Sequence, residues 1–234
     1  DHKGEATNFD EKAWYSTLKN AFGMDDLVRR HDEVMTKYDP EKRVGLIVDE
    51  WGTWHKVEPD TNPGFLYQQN TMRDAFVASL SLDVFHKYAD RIKMCNIAQV
   101  ANVLQAMIPT KEDKMVLTPT YYIFKMYKPH MDANLIPIDM DGVDVKLVRN
   151  ERYEANPSEG ANRPLPLLSA TASKDKEGKL HVSMSNVKID EEETVVLDLK
   201  GMKAKSIKAT ILTSENKDDH NTFENPDNVQ LVEF

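Results

Sequence analysis

The chain has 234 residues, of which 40% are hydrophobic and 29% charged, a globular composition with enough apolar material for one large domain or two ordinary ones. Its formal net charge of -9, without a long stripe of Lys and Arg, argues against nucleic acid and anionic membrane surfaces as partners. No apolar run approaches the roughly 20 residues that a membrane-spanning helix needs.

A single cysteine, Cys95, excludes a disulfide framework within the chain and gives no evidence about the redox compartment. The first residues lack both an initiator Met and the basic start with an apolar core that mark a signal peptide. Localisation therefore stays open between the cytoplasm and the periplasm or the cell exterior.

The first half of the chain alternates helical patterns with short apolar runs. Residues 9–22 and 24–38 predict two amphipathic helices, because apolar side chains recur about every four positions. The apolar run 44–49 predicts a strand that is buried on both faces, as is typical of parallel sheets.

Two further helices and a second strand follow. Asn62-Pro63 predicts the start of a helix of about 25 residues, and Thr118-Pro119 predicts the start of another. Between them, residues 91–99 predict an apolar strand that ends in polar groups. This order of strand, helix, strand and helix predicts parallel strands joined by helical crossovers.

After residue 133 the pattern changes to strands and turns, with KDKEGK as the turn of a hairpin. Short strands at near-regular spacing favour a β-sandwich or jelly roll. We therefore expect an α/β part over residues 1–133 and an all-β part over residues 134–234. The predicted strands of the second part are 143–148, 165–173, 179–187, 194–199 and 205–213.

Polar and aromatic residues come where the predicted parallel strands end, which is where functional groups of such folds lie. Glu50, Trp51 and Trp54 follow the first strand, and Asn96 and Gln99 end the second. A carboxylate beside an indole suits carbohydrate, because the carboxylate can attack an anomeric carbon while the indole packs on the sugar ring. Retaining glycosidases need a second carboxylate as acid/base.

The same residue types also have structural interpretations. A carboxylate at a strand end can be a helix cap or an ion-pair partner, and a tryptophan is more often a core residue. His55 and His86 lack metal-ligand spacing, so we predict no metal site, and the absence of a phosphate loop predicts no cofactor. Cys95 lies in an apolar strand, which predicts an inert buried thiol.

The stretch VGLIVDEWGTWH, residues 44–55, together with residues 61–108, closely resembles the α-L-arabinofuranosidases of glycoside hydrolase family 51. The resemblance continues through MVLTPTYYIFKMY at 115–127. It extends to the SATASKDKEGKLHVSMSN hairpin at 169–186 and to HNTFENPDNV at 220–229. It therefore covers most of the chain.

The resemblance implies a (β/α)8 barrel fused to a jelly-roll sandwich, and a retaining enzyme that releases terminal α-L-arabinofuranosyl units from arabinose-containing polysaccharides or oligosaccharides. It implies that Glu50 is the nucleophile, that Gln99 contacts the sugar, and that Trp54 shapes the leaving-group side. Asp49 and Trp51 would then support the site without reacting.

The sequence departs from the family in one respect that matters for catalysis. The family's acid/base glutamate lies well upstream of the nucleophile in an Asn-Glu pair, whereas here the one such pair, Asn150-Glu151, lies downstream of Glu50. The chain thus resembles the C-terminal portion of an arabinofuranosidase, with the last two barrel strands and most of the sandwich. We expect little activity from it in isolation.

Two open strands cannot close a barrel, so we expect a homo-oligomer or association with the missing N-terminal part to cover the exposed faces. The alternative function is a non-catalytic carbohydrate-binding or assembly module.

Overall fold

The computed structural model describes residues 4–148 and 163–233. The helices are α1 (Glu11–Phe22), α2 (Met24–Tyr38), α3 (Met72–Lys87) and α4 (Pro119–Tyr127), with short 3-10 turns at Pro63–Phe65 and Lys128–His130. The strands are β1 (Leu46–Trp51), β2 (Ile92–Ile97), β3 (Thr110–Lys111), β4 (Lys114–Met115), β5 (Asn134–Ile136), β6 (Val145–Val148), β7 (Arg163–Pro166), β8 (Leu168–Lys174), β9 (Leu180–Asn186), β10 (Thr210–Leu212) and β11 (Leu231–Glu233).

Helices α1 and α2 confirm the predictions made for residues 9–22 and 24–38. Asp10 caps α1, since its carboxylate accepts a 2.7 Å hydrogen bond from the backbone N–H of Ala13. The apolar face of α1 buries Trp14 and Leu18, and the Trp14 indole donates a 3.0 Å hydrogen bond to the carbonyl of Val187. Helix α1 is thereby attached to the β-rich part of the chain.

Strands β1 and β2 pair in parallel, which confirms the predicted strand pair and its direction. Val48 lies opposite Cys95, and Trp51 lies opposite Ile97. Both strands therefore end at the same edge of the sheet. Helix α3 connects them, as the predicted crossover requires.

The prediction that the first strand is buried on both faces is wrong for this structure. Val44 is 60% exposed and Ile47 is 52% exposed, while Leu46 and Val48 pack against the core. A strand is buried on both faces only between two covering layers. Among the described residues, β2 is the only strand that pairs with β1, so one apolar face stays open.

The long helix begins at Met72, nine residues later than the Asn62-Pro63 signal predicts. Asn62 does cap a turn, accepting a 2.9 Å hydrogen bond from the backbone N–H of Gly64, but Leu66 adopts a left-handed φ of 53° and ends that turn. Thr71 and Asp74 instead form a capping box at the start of α3. The helix is 16 residues long.

In the β-rich part, β8 and β9 form the predicted antiparallel hairpin around KDKEGK, and β5 joins β8 to make a three-stranded sheet. The predicted strand 194–199 is not formed, and Val196 is 87% exposed. Of 205–213, only Thr210–Leu212 is a strand. Isolated strands have no ladder partner for their backbone groups, and no described segment pairs with 194–199.

The described residues contain no closed barrel, because their strands form separate sheets of two or three strands. The β-sandwich and the boundary between residues 133 and 134 stay predictions. The Asn150-Glu151 pair lies outside the described residues. In the two described ranges, no helix has the length and apolar character needed to cross a membrane.

Helix α3 lies at the centre of the molecule and is buried almost all round. On one side Val77 and Leu80 pack with α1 and with Leu165 of β7. On the other side Ala75, Ala78 and Phe85 pack with Trp51 and the strand pair. The N-terminal end of this helix reaches the edge of the sheet where β1 and β2 end, which positions the site described next.

Candidate functional site

The two predicted sugar-contacting strand ends meet at one hydrogen bond. The carbonyl of Trp51 accepts a 2.8 Å hydrogen bond from the backbone N–H of Ala98. Glu50 precedes Trp51 and Gln99 follows Ala98, and both Glu50 and Gln99 are exposed to solvent. The parallel pairing therefore brings Glu50 and Gln99 to the same edge of the sheet, as the strand pattern predicts.

The two tryptophans after Glu50 have different environments. Trp51 is 5% exposed and packs against Phe85 and Phe124, with ring centroids 5.4 Å and 6.1 Å away. It is a core residue at the end of β1, and its supporting role in the site stays a prediction. Trp54 is 50% exposed, so its indole is available at the surface beside the strand end.

Residues 52–55, which we call the strand-end segment, turn away from β1 over a buried polar layer. Gly52 has a φ of 137°, a conformation that residues with a side chain rarely adopt. A Cβ at this position would lie 3.3 Å from both the Ala98 carbonyl oxygen and Oε1 of Gln105. Thr53 and His55 are buried, whereas Trp54 between them is exposed.

Asp74, fully buried at the start of α3, is the charged centre of this layer. Its Oδ1 accepts a 2.5 Å hydrogen bond from the Thr53 hydroxyl and lies 3.2 Å from Nε2 of His55. Burial opposes ionisation of this carboxyl, but His55, the Arg73 guanidinium and Thr53 outweigh burial and lower the pKa of Asp74 to about 2.

Of the two histidines singled out in the sequence, His55 is buried and His86 is partly buried. His55 is 6% exposed beside Asp74, and Nη2 of Arg73 lies 3.0 Å from its Nε2. Burial lowers the pKa of His86, which packs against Tyr127. Within residues 4–148 and 163–233, no group of three or more His, Cys, Asp or Glu side chains is arranged to hold a metal ion.

Gln99 begins the turn that follows β2, and its carbonyl accepts a 3.3 Å hydrogen bond from the backbone N–H of Met107. The Ala98–Gln99 peptide bond is cis. Asn96, two residues before Ala98, is also exposed. Earlier in the strand, Cys95 is partly buried, and burial raises the pKa of its thiol to about 12.

A cavity of about 470 Å³ opens beside Trp54, between the strand-end segment, α1 and α3. Its wall on the α1 side is polar, with Ser16, Thr17 and Asn20. Trp51 and Trp54 line this cavity, whereas Glu50 and Gln99 do not. The strand ends themselves present an exposed carboxylate, an exposed amide and a half-exposed indole. Such a set can attack or stabilise an anomeric carbon while holding a sugar ring.

Three buried polar residues of this region were not identified from the sequence: Gln68, Asp74 and Gln105. The T-x-x-D pattern at Thr71–Asp74 is a recognisable capping box and could have located Asp74. Gln68 and Gln105 have no such local signal, because their partners lie 13 to 52 positions away along the chain.

Comparison with known proteins gives the family. Residues 49–234 match the family described as the α-L-arabinofuranosidase C-terminal domain. Over 232 residues the chain is 50% identical to an intracellular exo-α-L-arabinofuranosidase from Bacteroides ovatus, covering 99% of this chain and 43% of that protein.

Solved structures agree. The GH51 arabinofuranosidase from Xanthomonas axonopodis pv. citri is similar with a TM-score of 0.89 and 41% identity, over 99% of this chain and 44% of that one. An α-L-arabinofuranosidase from Thermotoga maritima, solved as an arabinose complex, shares the fold with a TM-score of 0.70 and 24% identity, over 97% of this chain and 46% of that one.

The chain therefore spans less than half the length of these relatives. With a family match over most of the chain and a relative at 50% identity, the chain belongs to the α-L-arabinofuranosidases of glycoside hydrolase family 51, of which it represents the C-terminal portion.

Proposed function

We propose that this chain is the nucleophile-bearing part of a retaining α-L-arabinofuranosidase. The observation that carries the proposal is the position of Glu50 and Gln99, which are exposed on either side of the Trp51–Ala98 hydrogen bond at the end of two parallel strands. The identity of the substrate sugar is inferred from the names of the relatives.

In the proposed reaction, a carboxylate oxygen of Glu50 attacks the anomeric carbon of a terminal α-L-arabinofuranosyl unit and forms a covalent glycosyl ester. The bond to the leaving-group oxygen breaks, and an acid protonates that oxygen. Water then hydrolyses the ester with the same acid acting as base. Gln99 hydrogen-bonds the bound sugar, and the Trp54 indole packs against the leaving-group side. The substrates are arabinose-containing polysaccharides or oligosaccharides.

The acid/base residue is proposed to lie in the region that the relatives have and this chain lacks. One carboxylate cannot perform both roles, and the chain covers only 43% of its Bacteroides relative. We propose that β1 and β2 are the last two strands of a (β/α)8 barrel and that a β-sandwich follows. The open apolar face with Ile47 and its strand partner Met94 would be covered by that region or by a second copy.

The test compares Glu50→Ala with Glu41→Gln, an exposed carboxylate at the opposite, amino-terminal end of β1. Each is made in the complete enzyme, meaning this chain together with the region that its relatives carry ahead of it. The substrate is an aryl α-L-arabinofuranoside with a good leaving group, because such a substrate depends least on the acid. Activity should fall about 1,000-fold or more in Glu50→Ala and stay unchanged in Glu41→Gln.

Full activity of Glu50→Ala would contradict the proposal. Trapping of a glycosyl ester on Glu50, detected by mass spectrometry of the peptide, would support the retaining mechanism directly. The alternative, a non-catalytic carbohydrate-binding module, instead requires that the chain bind arabino-oligosaccharides while the complete protein has no activity that depends on Glu50.

A further inference from the structure

The strand-end segment, residues 52–55, is held in place by a set of buried polar side chains that no catalytic role explains. We propose that Gln105 and Asp74 are positioning residues, which fix the Trp54 indole relative to Glu50. This inference rests on the function proposed above, since it assigns a purpose to Trp54 in the arabinofuranosidase reaction.

The first argument is the pattern of burial around Trp54. Thr53 is 8% exposed and His55 is 6% exposed, whereas Trp54 between them is 50% exposed. In an extended segment, neighbouring side chains point to opposite sides. Anchoring Thr53 and His55 in the interior therefore directs Trp54 outward, beside the strand end that carries Glu50.

Gln105 joins this segment to the end of the other strand. Its Oε1 accepts a 2.9 Å hydrogen bond from the backbone N–H of Thr53, and its own backbone N–H donates a 2.9 Å hydrogen bond to the Ala98 carbonyl. Its Nε2 donates to the Asp74 carbonyl at 2.7 Å and to the Thr120 hydroxyl at 3.0 Å. One fully buried residue, through its side-chain amide and its backbone N–H, thus connects both strand ends to the first turns of α3 and α4.

Asp74 and Gln68 complete the anchoring. Oδ1 of Asp74 accepts a 2.5 Å hydrogen bond from the Thr53 hydroxyl, and Oδ2 accepts a 2.8 Å hydrogen bond from the backbone N–H of Thr71. Gln68 accepts a 2.7 Å hydrogen bond from the backbone N–H of His55. The residues directly before and after Trp54 are therefore both hydrogen-bonded to buried side chains. These bonds restrict the conformational freedom of the backbone that carries the indole.

This arrangement matters for rate because a misplacement of about 1 Å in a reacting site can cost about 100-fold. A segment held by several buried hydrogen bonds has its geometry set before the substrate arrives. Loss of one bond to Thr53 should therefore change the reaction on large leaving groups, which Trp54 contacts, more than the reaction on small ones.

The test uses two substitutions at Thr53 in the complete enzyme. Thr53→Val deletes the hydroxyl that bonds Asp74 and keeps the shape, whereas Thr53→Ser keeps the hydroxyl. The matched control is Thr171→Val, another buried threonine, which lies on β8 and whose hydroxyl is 3.2 Å from Nδ1 of His86 on α3. If Thr53→Val does not fold, Thr53→Ala is measured in its place with the same expectations.

We expect Thr53→Val to lower kcat/KM on an arabino-oligosaccharide by about 10- to 100-fold, and by a smaller factor on the aryl arabinofuranoside. The kcat/KM of Thr53→Ser should lie within about threefold of that of the original enzyme on both substrates. Thr171→Val should lose thermal stability without changing either substrate's kcat/KM, because its hydroxyl does not bond the strand-end segment.

A second measurement is independent of catalysis. In the 234-residue chain, Trp14 and Trp51 are buried and Trp54 is half-exposed, so acrylamide-quenchable fluorescence reports mainly on Trp54. Thr53→Val should change the quenching constant and shorten the anisotropy decay of this fraction. Thr171→Val should leave both unchanged.

The outcomes separate this inference from the function it rests on. Full activity of Glu50→Ala would reject the proposed function, while the fluorescence result would still report on the anchoring. A folded Thr53→Val with original kcat/KM on both substrates would overturn the positioning role. Equal losses in Thr53→Val and Thr171→Val would also overturn it, since they would reflect stability alone.

Discussion

The Tyr127 hydroxyl donates a 2.7 Å hydrogen bond to Oδ1 of Asp83, joining α4 to α3 in the interior of the protein. The hydroxyl of Ser169 on β8 donates to Oδ2 of the same carboxyl at 2.5 Å. Burial outweighs these two hydrogen bonds and raises the pKa of Asp83 to about 7. This carboxyl therefore connects the helices to the β-sheet, and its protonation state changes near neutral pH.

We predict that ionisation of Asp83 lowers the free energy of unfolding as pH rises. Its folded pKa is about 7 against an ordinary 3.8, so between these values the folded protein binds more protons than the unfolded chain. Stability from this group is complete below about pH 3.8 and is lost progressively as pH rises to about 7, by about 4 kcal/mol in all. Urea unfolding at about pH 4, 5.5 and 7 should show that loss in the original protein and not in Asp83→Asn. A variant that keeps the whole pH dependence would contradict the assignment.

We predict the opposite pH dependence for His130. Burial, with the neighbouring charges of His86 and His181, lowers the pKa of His130 to about 4 from an ordinary 6.5. The unfolded chain takes up this proton first, so stability falls as pH is lowered from 6.5 to 4.

His130→Gln should reduce the loss of stability at acid pH, because glutamine does not titrate and therefore takes up no proton when the chain unfolds. The measurement is the urea midpoint at pH 4.5, 5.5 and 6.5. The control is His31→Gln, on an exposed part of α2, which should leave the pH profile as it was. If the two variants give the same profile, His130 is not responsible for the acid-side loss.

Gly52→Ala should destabilise the strand end. The substitution combines a φ of 137°, unfavourable for a side chain, with new contacts at 3.3 Å to the Ala98 carbonyl oxygen and Gln105 Oε1. We expect a loss of about 1–3 kcal/mol in the free energy of unfolding. Gly142→Ala is the matched control, since it has a φ of 73° but no neighbour within 4 Å of the added carbon. An equal loss in both variants would assign the effect to backbone strain alone.

Cys95 should be unreactive in the folded chain. Burial raises the pKa of its thiol to about 12, and the reaction rate of a thiol with a disulfide reagent follows its thiolate fraction. We expect slow labelling by an aromatic disulfide at pH 8 and fast, stoichiometric labelling after unfolding in urea. Rapid labelling of protein that retains its native circular dichroism would show that the thiolate is accessible.

Several elements of the fold follow from local sequence. The four-residue spacing of apolar side chains predicted α1 and α2, and KDKEGK between two alternating runs predicted the β8–β9 hairpin. The position of Glu50 and Gln99 at one edge followed from the parallel order of the two strands, because parallel strands end on the same side. The helices and the hairpin depend on contacts between near neighbours in the chain, and the direction of the strand pair follows from the order of the elements.

The start of the long helix depended on local signals that the prediction missed, since Leu66 turns left-handed after Asn62 and α3 starts at Met72, where Thr71 and Asp74 bond to each other. Other features depended on residues far apart. The apolar run at residues 194–199 has the period of a strand, but no described segment lies beside it to complete a ladder.

By itself the sequence determined α1 and α2, the direction of the strand pair, the hairpin and the residues that stand at the strand ends, because periodicity, turn chemistry and the order of the elements are sufficient for these. Only the tertiary structure decided that Trp51 is internal while Trp54 is exposed, that one face of β1 stays open, and that Gln105 bonds both strand ends. Burial and long-range hydrogen bonds depend on which distant segments pack together, and local sequence patterns do not specify that packing.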